Sequence, residues 1–279
     1  CSASWSLDML FDNHCHLDAP EFEADRDAVY EAAYRSGVDR LLIPAVNAEN
    51  FAAVRDCCQR YIGCLPAYGI HPQNAGSAQE DDLKTLRHWL RREATGPHPP
   101  VAVGEIGLDF FETKIPPQLQ IRYFNAQLKI AAAANLPVIL HVRRAVDAIL
   151  KQLQQSPVRG GIAHAFNGSR QQADAFFAKG FCLGFGGAMT YPGSTRIRGL
   201  AATLPLEAIV LETDAPDIPP VWLNRPSGRR RNTPDQLVRV AQVLADLRSI
   251  SVETVIAVTT ANALRCLGIS GRPSFDRGN

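Results

Sequence analysis

Three features of the sequence predict an α/β fold, a single closed (β/α)8 barrel of the TIM-barrel type. Eight short apolar runs, rich in β-branched residues, alternate with segments of helical periodicity along the chain. The length of 279 residues suits this architecture, because (β/α)8 barrels run to about 250 residues as one domain. The first apolar run is followed by His-Cys-His. A doubly wound open sheet, the alternative architecture, would usually carry a glycine-rich phosphate loop there.

The predicted strands are nearly continuously apolar, as expected for a parallel sheet that is covered on both faces. They are too short and too rich in β-branched residues for helices. The eight strands are predicted at residues 9–11, 40–46, 65–70, 101–106, 137–142, 161–166, 181–186 and 208–212.

Each predicted strand is followed by a segment with apolar residues at helical spacing. The first ends at Gly37, a residue suited to a helix C-cap. Thr233-Pro-Asp supplies an N-cap and a first-turn proline to a later one. Helices are predicted at residues 24–36, 49–61, 80–93, 117–135, 144–155, 170–179, 194–203 and 236–248, with a final helix from Ser251 to Arg265.

The chain has no linker long enough to divide it, so residues 9–267 are predicted to form one barrel. Residues 1–8 lack periodicity and precede Met9, which stands just before the first strand. We interpret them as an upstream extension or as residues added in cloning; a mature lipoprotein that begins at Cys1 is the alternative. Residues 268–279 are predicted to be a C-terminal tail.

Composition narrows the class of protein. Hydrophobic residues make up 46% and charged residues 20% of the chain, which is ordinary for a globular domain. The formal net charge of +1 provides no global attraction to nucleic acid or membrane, so any polyanion must meet a local patch. No apolar run reaches the roughly 18 residues that span a bilayer. Seven cysteines without a CxxC pair favour a reducing compartment. We expect a cytoplasmic monomer without membrane contact.

A His-x-His pair ends the first predicted strand. Side chains at positions i and i+2 of a strand point the same way, about 7 Å apart, so His14 and His16 face one side. Two imidazoles aimed together can share a metal ion. Two polar residues in a strand-end turn are the alternative interpretation.

Other histidines and two carboxylates fall at the same predicted edge. His71, His141 and His164 end the third, fifth and sixth strands, and this carboxyl-terminal edge is where barrels of this type build active sites. Glu105 lies in the apolar fourth strand and Asp214 follows the eighth. A buried carboxylate there needs a cation or hydrogen bonds; a salt bridge across the interior is the alternative for Glu105.

Four imidazoles and two carboxylates are too many ligands for one tetrahedral ion and suit two ions that share a bridging carboxylate. Imidazole favours Zn, Ni or Mn, whereas a site for Mg alone would contain less nitrogen. The predicted metal ligands are His14, His16, Glu105, His141, His164 and Asp214.

Seven motifs carry a family resemblance. They are Asp-Asn-His-Cys-His-Leu-Asp at 12–18, Gly-Ile-His-Pro at 69–72, Gly-Glu-Ile-Gly-Leu-Asp at 104–109, Leu-Pro-Val-Ile-Leu-His-Val-Arg at 136–143, His-Ala-Phe-Asn-Gly at 164–168, Glu-Thr-Asp-Ala-Pro at 212–216 and Arg-Arg-Asn-Thr-Pro at 230–234. From about Met9 to Leu267 the chain resembles the TatD family of metal-dependent deoxyribonucleases, within the amidohydrolase-like barrels of metal-dependent hydrolases.

The resemblance implies a ligand set and an activity. His14, His16 and Asp214 would bind one divalent ion, and His141 and His164 a second, with Glu105 bridging. It implies hydrolysis of DNA phosphodiesters, typically from the 3′ end, with two divalent ions (Zn, Mn, Ni or Mg) as cofactors. The chain departs from the family pattern at Asn13, usually a small hydroxyl residue, and in the motif that begins at His164, more often His-Cys-Phe-Ser-Gly. Neither change removes a ligand.

The expected reaction assigns roles to further residues. Glu105 would bridge the ions that activate a water, and Asp214 would take the proton of that water. Guanidinium groups match phosphate with two parallel hydrogen bonds, and loops after the last two strands of a barrel often bind phosphate. The candidates for phosphate binding are His71, Arg143, Arg230 and Arg231. A turn histidine before Pro72 and a solvated arginine loop are the alternatives.

Three acids next to the ligands, Asp18, Asp109 and Glu212, are expected to orient them through hydrogen bonds. Asp109 could instead pair with an arginine. Two other functions remain open. One is hydrolysis of small esters, lactones or amides, against which Glu105 argues because many such enzymes bridge their metals with a modified lysine. The other is a non-catalytic binding module with a structural metal, which would not need two ions and an open position.

Overall fold

The structure, a computed structural model, describes residues 9–225 and 228–269. The predicted extension at 1–8 and most of the predicted tail lie outside the described residues. Eight parallel strands pair in chain order as one sheet. They are β1 (Leu10–Asp12), β2 (Val38–Pro44), β3 (Cys64–Tyr68), β4 (Ala102–Asp109), β5 (Val138–Arg143), β6 (Gly161–Ala163), β7 (Phe181–Phe185) and β8 (Ile209–Leu211).

The sheet closes just beyond the ends of β8 and β1. The backbone N–H of Asn13 donates to Leu211 O at 3.1 Å, and that of His16 donates to Ala215 O at 2.8 Å. Between them, Asp214 N donates to His14 O at 2.8 Å. The predicted (β/α)8 barrel is confirmed, and its seam runs through three of the predicted metal ligands, His14, His16 and Asp214.

Helices alternate with the strands, and one helix follows each strand. They are α1 (Arg26–Ser36), α2 (Phe51–Arg60), α3 (Glu80–Glu93), α4 (Pro117–Ala134), α5 (Val146–Gln154), α6 (Arg170–Ala178), α7 (Thr195–Thr203), α8 (Leu237–Arg248) and the additional α9 (Val252–Leu267). A two-residue strand β9 (Asn224–Arg225) pairs antiparallel with β10 (Gly228–Arg229) in the loop before α8. No single helix in the described ranges has the length and hydropathy to cross a membrane. The segments Pro234–Arg248 and Val252–Leu267 meet the length and hydropathy criteria only when they are taken together, and they are bent by 109° relative to each other.

Five strands end earlier than the sequence predicts, and β6 differs most: it stops at Ala163, so His164 lies just past it and not within it. β8 stops at Leu211, and Asp214 follows it, as predicted. Ala165 has a φ of 46° and Asp214 a φ of 57°. This left-handed backbone cannot continue a strand, and it turns both segments across the mouth of the barrel.

The amino-terminal end of the barrel is closed by α9. Its residues Ala263, Cys266 and Leu267 pack against one buried residue from each strand. The strand residues are Phe11, Leu42, Ala67, Ala102, Ile139, Ile162, Cys182 and Val210. An apolar plug therefore fills one end of the barrel, and the histidines and carboxylates of the predicted site lie at the other.

Candidate metal centre

Glu105 lies at the centre of the polar cluster. Its side chain projects from β4 and the residue is 2% exposed. One carboxylate oxygen, Oε2, lies 3.2 Å from His14 Nε2 and 3.7 Å from His16 Nε2. The other, Oε1, lies 2.8 Å from His141 Nδ1 and 3.0 Å from His164 Nε2. The two oxygens therefore face two separate groups of imidazole nitrogens.

The first group combines the His-x-His pair with Asp214. His14 Nε2 and His16 Nε2 lie 3.3 Å apart. Asp214 Oδ1 is 3.5 Å from the former and 3.8 Å from the latter. Because the backbone of Asp214 is hydrogen-bonded to His14 across the seam, closure of the barrel itself brings this carboxylate to the two histidines.

The second group consists of His141 on β5 and His164 just after β6, whose facing nitrogens Nδ1 and Nε2 are 3.4 Å apart. The opposite nitrogen of His141, Nε2, donates to Asp109 Oδ2 at 3.2 Å. A carboxylate in this position fixes the tautomer and the orientation of a metal-binding imidazole. Asp109 therefore lies where it can orient His141, as predicted for a partner of a ligand, and Arg143 Nη1 also lies 3.8 Å from the same oxygen.

The two other acids have different surroundings. Glu212, 1% exposed, accepts a hydrogen bond from Ala165 N at 2.5 Å and places Oε1 3.8 Å from His164 Nδ1. It therefore supports the turn that carries His164. Asp18 accepts a hydrogen bond from Asn50 Nδ2 at 2.5 Å, and Asn50 lies in the loop after β2.

His71 lies beside the second group and is 8% exposed. Its Nδ1 accepts a hydrogen bond from Gln73 N at 3.2 Å, and its Nε2 lies 3.4 Å from Glu105 Oε1. Since Nδ1 is an acceptor, the proton of the neutral ring is on Nε2. This tautomer makes His71 a hydrogen-bond donor toward the centre, although its position would also allow it to contribute to a metal group with Glu105 and His141.

Burial and mutual charge set the protonation of the cluster. Burial, reinforced by the charge of His164, lowers the pKa of His14 to about 3. Burial opposes ionisation of Glu105, but the surrounding histidines outweigh it and hold the pKa of Glu105 well below its usual range. Burial raises the pKa of Asp214 to about 6. His14 is therefore a neutral imidazole and Glu105 a carboxylate, the forms in which both residues bind metals.

The donor set fits divalent cations. Only one nitrogen of each facing pair, His14 with His16 and His141 with His164, can point a proton at the other, so a lone pair is left pointing into each gap. A cation between such nitrogens and a carboxylate would instead accept a lone pair from every one of these atoms, which a single proton cannot do. In the part of the chain that the structure describes, three groups have ligand atoms close enough together to hold a metal: His14, His16 and Glu105; His14, His164 and Asp214; and His71, Glu105 and His141.

The arginines predicted to bind phosphate differ in their surroundings. Arg143 has a side chain that is 50% exposed, and Arg230 is exposed. Arg231 makes a two-pronged ion pair with Asp25, at 2.6 and 2.9 Å, and its guanidinium stacks 4.5 Å from the centre of the Phe22 ring. Its guanidinium is therefore already occupied by a carboxylate, which the sequence did not suggest.

Two supporting residues were not singled out from the sequence. Asp12 accepts hydrogen bonds from Thr213 N at 2.9 Å and from Thr213 Oγ1 at 2.6 Å, and so braces the seam. Gln73 donates from its side chain to Asp109 Oδ2 at 2.8 Å. A carboxylate within an apolar strand, the signal that identified Glu105, would also have identified Asp12. No local signal distinguishes Gln73.

Comparisons with known proteins agree with this geometry. A family model described as TatD related DNase matches residues 11–268. The uncharacterized metal-dependent hydrolase YjjV of Escherichia coli K12 is 41% identical over 240 residues, covering 86% of this chain and 90% of YjjV. The 3'-5' ssDNA/RNA exonuclease TatD of the same strain is 31% identical over 264 residues, covering 94% and 100%. The crystal structure of YjjV matches with a TM-score of 0.87, covering 94% of this chain and 99% of that one at 37% identity.

Proposed function

Because the chain belongs to the TatD related DNase family of metal-dependent hydrolases, we propose that it hydrolyses phosphodiester bonds of single-stranded DNA from the 3′ end. The observation that carries the proposal is Glu105, whose two oxygens face separate groups of nitrogens. That arrangement suits a carboxylate shared by two ions in phosphodiester hydrolysis. The polarity is that of the Escherichia coli relative TatD, a 3'-5' ssDNA/RNA exonuclease, and single-stranded DNA is one of its two named substrates.

We propose that His14, His16, Asp214 and Glu105 Oε2 hold one divalent ion. His141, His164 and Glu105 Oε1 would hold a second, and the candidates are Zn, Mn, Ni and Mg. When bound, such ions lower the pKa of a water molecule and neutralise charge on phosphate oxygens. The imidazole-rich donor set supports Zn, Mn or Ni over Mg.

The chain's own residues perform the remaining steps. Asp214 Oδ1 faces His14 and His16, which leaves Oδ2 to take the proton of the attacking water. His71 Nε2–H points into the centre and can donate to a phosphate oxygen. Arg143 and Arg230 have exposed guanidiniums for neighbouring phosphates. Arg231 would first have to leave Asp25, so we assign it a smaller part.

We further propose that the protein is a cytoplasmic monomer. The six described cysteines are all free thiols, which suits a reducing compartment. Among the described residues only Ile62 and Phe111 are exposed large hydrophobics, so that part of the surface offers no apolar patch to a second copy. Sedimentation at the mass of one chain would bear out the monomer.

The decisive experiment follows a 5′-labelled single-stranded oligonucleotide with metal-stripped protein, before and after Mg, Mn or Zn is restored. We expect stepwise shortening only with metal. Glu105→Gln should reduce turnover by more than the ~10–100-fold that loss of a partner outside the ligand set typically costs, while circular dichroism shows a folded barrel. Glu253→Gln, an exposed change of the same kind on α9, is the control.

Two outcomes would contradict the proposal. A Glu105→Gln protein that cleaves at the parent rate excludes the bridging role. Failure of every ion to support cleavage of the oligonucleotide, with ester, lactone or amide substrates hydrolysed in parallel assays, would instead identify a small-molecule hydrolase.

A further inference from the structure

An exposed aromatic ring stands at the rim of the metal centre. Phe111 follows β4 by two residues and is 47% exposed. Ile62, the other exposed large hydrophobic residue among those described, precedes β3 and so lies at the opposite end of the barrel. Exposure of a phenyl ring forgoes the stabilisation of burial, so packing does not account for Phe111.

The ring is held in a fixed position relative to the predicted ligands. Phe111 N donates to Asp109 Oδ1 at 3.0 Å, and Phe110 N donates to Arg143 O at 2.9 Å. The second oxygen of Asp109 accepts from His141 Nε2. One carboxylate thus ties the loop that carries Phe111 to an imidazole of the centre.

Two guanidinium groups stack on this ring. Arg143 Cζ lies 3.9 Å and Arg144 Cζ 4.6 Å from the centre of the Phe111 ring. Arg143 is two residues beyond His141 on β5, so its side chain leaves the strand on the same face as that ligand. Arg144 has a φ of 53°, a left-handed conformation that costs energy for a side chain of this type. That turn brings the second guanidinium to the ring.

We call Phe111, Arg143 and Arg144 the mouth cluster. Its surface is partly aromatic and positively charged, and a carboxylate oxygen of Asp109 lies 3.8 Å from Arg143 Nη1. Bases of single strands stack on aromatic rings and on guanidinium planes, and guanidinium groups also pair with phosphate. The base of a nucleotide therefore has a stacking partner in the mouth cluster, and the phosphate has an ion-pairing partner.

We infer that the mouth cluster binds the nucleotide on the 5′ side of the scissile phosphodiester. The guanidinium groups of Arg143 and Arg144 would turn from the Phe111 ring to pair with its phosphate, and its base would stack on the ring. The inference rests on the proposed function, in which the 3′-terminal phosphodiester lies at the metal ligands. The 5′ side is chosen because the ring is open to solvent, which suits a strand that continues outward. A 3′-terminal nucleotide needs no such exit.

Binding is measured first, by fluorescence anisotropy of a short 5′-labelled oligothymidylate with metal-stripped protein. Phe111→Ala should weaken binding about tenfold, and Phe111→Leu should not restore it because leucine is apolar but cannot stack. Phe111→Trp should retain parent affinity. Arg144→Gln should weaken binding and reduce the slope of log K against log salt by about 0.7, the contribution of one phosphate contact on a single strand.

Two control variants lie away from the mouth. Ile62→Ala removes the other exposed apolar side chain, and Arg91→Gln removes an exposed guanidinium in the last turn of α3. Both should bind the oligothymidylate as the parent protein does.

Turnover of two substrates then separates the mouth cluster from the metal centre. With metal restored, Phe111→Ala should lower kcat/KM for the oligonucleotide about tenfold and leave that for bis(p-nitrophenyl) phosphate unchanged, because the small diester has no second nucleotide. An equal loss on both substrates would overturn the inference, as would parent-like binding by Phe111→Ala and Arg144→Gln.

The proposed function can fail separately. Binding that depends on Phe111, without cleavage under any ion, refutes the exonuclease and retains the nucleotide subsite. Cleavage with a KM that is the same in the parent and in Phe111→Ala refutes the nucleotide subsite and retains the exonuclease. A parent protein that neither binds nor cleaves the oligonucleotide refutes both.

Discussion

At the scale of single residues, the metal centre depends on a glycine that carries no side chain into it. Gly184 lies on β7, and a Cβ added there would be 2.0 Å from Glu212 Oε2. Glu212 cannot retreat freely, because it is 1% exposed and its other oxygen accepts the hydrogen bond from Ala165 N. Burial raises the pKa of Glu212 to about 8, a further sign of how enclosed the carboxyl group is. Gly184 is therefore the residue that makes room for the support of His164.

Gly184→Ala should destabilise the protein by about 1–3 kcal/mol through overpacking and weaken metal binding at His164. Urea unfolding and chelator competition measure the two effects. Gly199→Ala is the matched control, since an added Cβ there meets nothing within 4 Å. Gly199 lies inside α7, so the control should stabilise by up to about 1 kcal/mol. If the two variants have equal free energies of unfolding, the Glu212 side chain can move away from the added methyl group without destabilising the protein.

At the scale of elements, α9 differs from the eight helices that follow strands, because it closes one end of the barrel. Ser251 Oγ accepts from Thr254 N at its start, and Gly268, with a φ of 66°, ends it. Leu267, in its last turn, is 4% exposed and belongs to the plug, whereas Leu264 is only partly buried against it. The capping residues therefore set the two ends of α9, and contact with the plug determines which of its side chains stabilise the barrel.

Leu267→Ala should cost about 2–5 kcal/mol, because it leaves a cavity among the plug residues. Leu264→Ala, the same deletion on the same helix, should cost only about 1 kcal/mol. The midpoints of urea unfolding give the comparison. Similar costs at the two positions would mean that α9 does not seal the barrel in the way its burial suggests.

At the scale of the whole molecule, the geometry of the candidate metal centre depends on closure of the barrel. His14 and Asp214 approach the same point from opposite sides of the seam between β1 and β8. The seam is held by backbone hydrogen bonds and by the buried pair of Asp12 with Thr213, in which Thr213 Oγ1 donates at 2.6 Å. A barrel that opened here would separate the ligands of the first group.

Thr213→Val keeps the shape of the side chain and removes the hydroxyl that donates to Asp12. Leaving that buried carboxyl group short of a partner should cost about 1–3 kcal/mol, and metal binding at the first group should weaken with it. Thr213→Ser keeps the hydroxyl and should stay close to the parent in both measurements. If the valine variant unfolds at the parent urea concentration, the pair does not hold the seam.

Much of this molecule was predictable from local pattern. The order of strands and helices follows from periodicity, because apolar spacing reports which face of each element is buried. The positions of His14, His16, His71, His141 and His164 at strand ends then place them together, since all strands of a parallel barrel end at the same edge. The early end of β6 was not predictable, because the left-handed backbone at Ala165 depends on a hydrogen bond to Glu212, a residue far away in the chain.

The sequence by itself determined the fold class, the family and the set of candidate ligands, because each depends on residue type and spacing along the chain. The tertiary structure alone decided which atoms meet. It divides the oxygens of Glu105 between two groups of imidazoles, and it commits Arg231 to Asp25, 206 residues away. It also brings the guanidinium groups of Arg143 and Arg144 to the ring of Phe111 at the rim. These contacts join distant segments, and only the closed barrel specifies the distances between them.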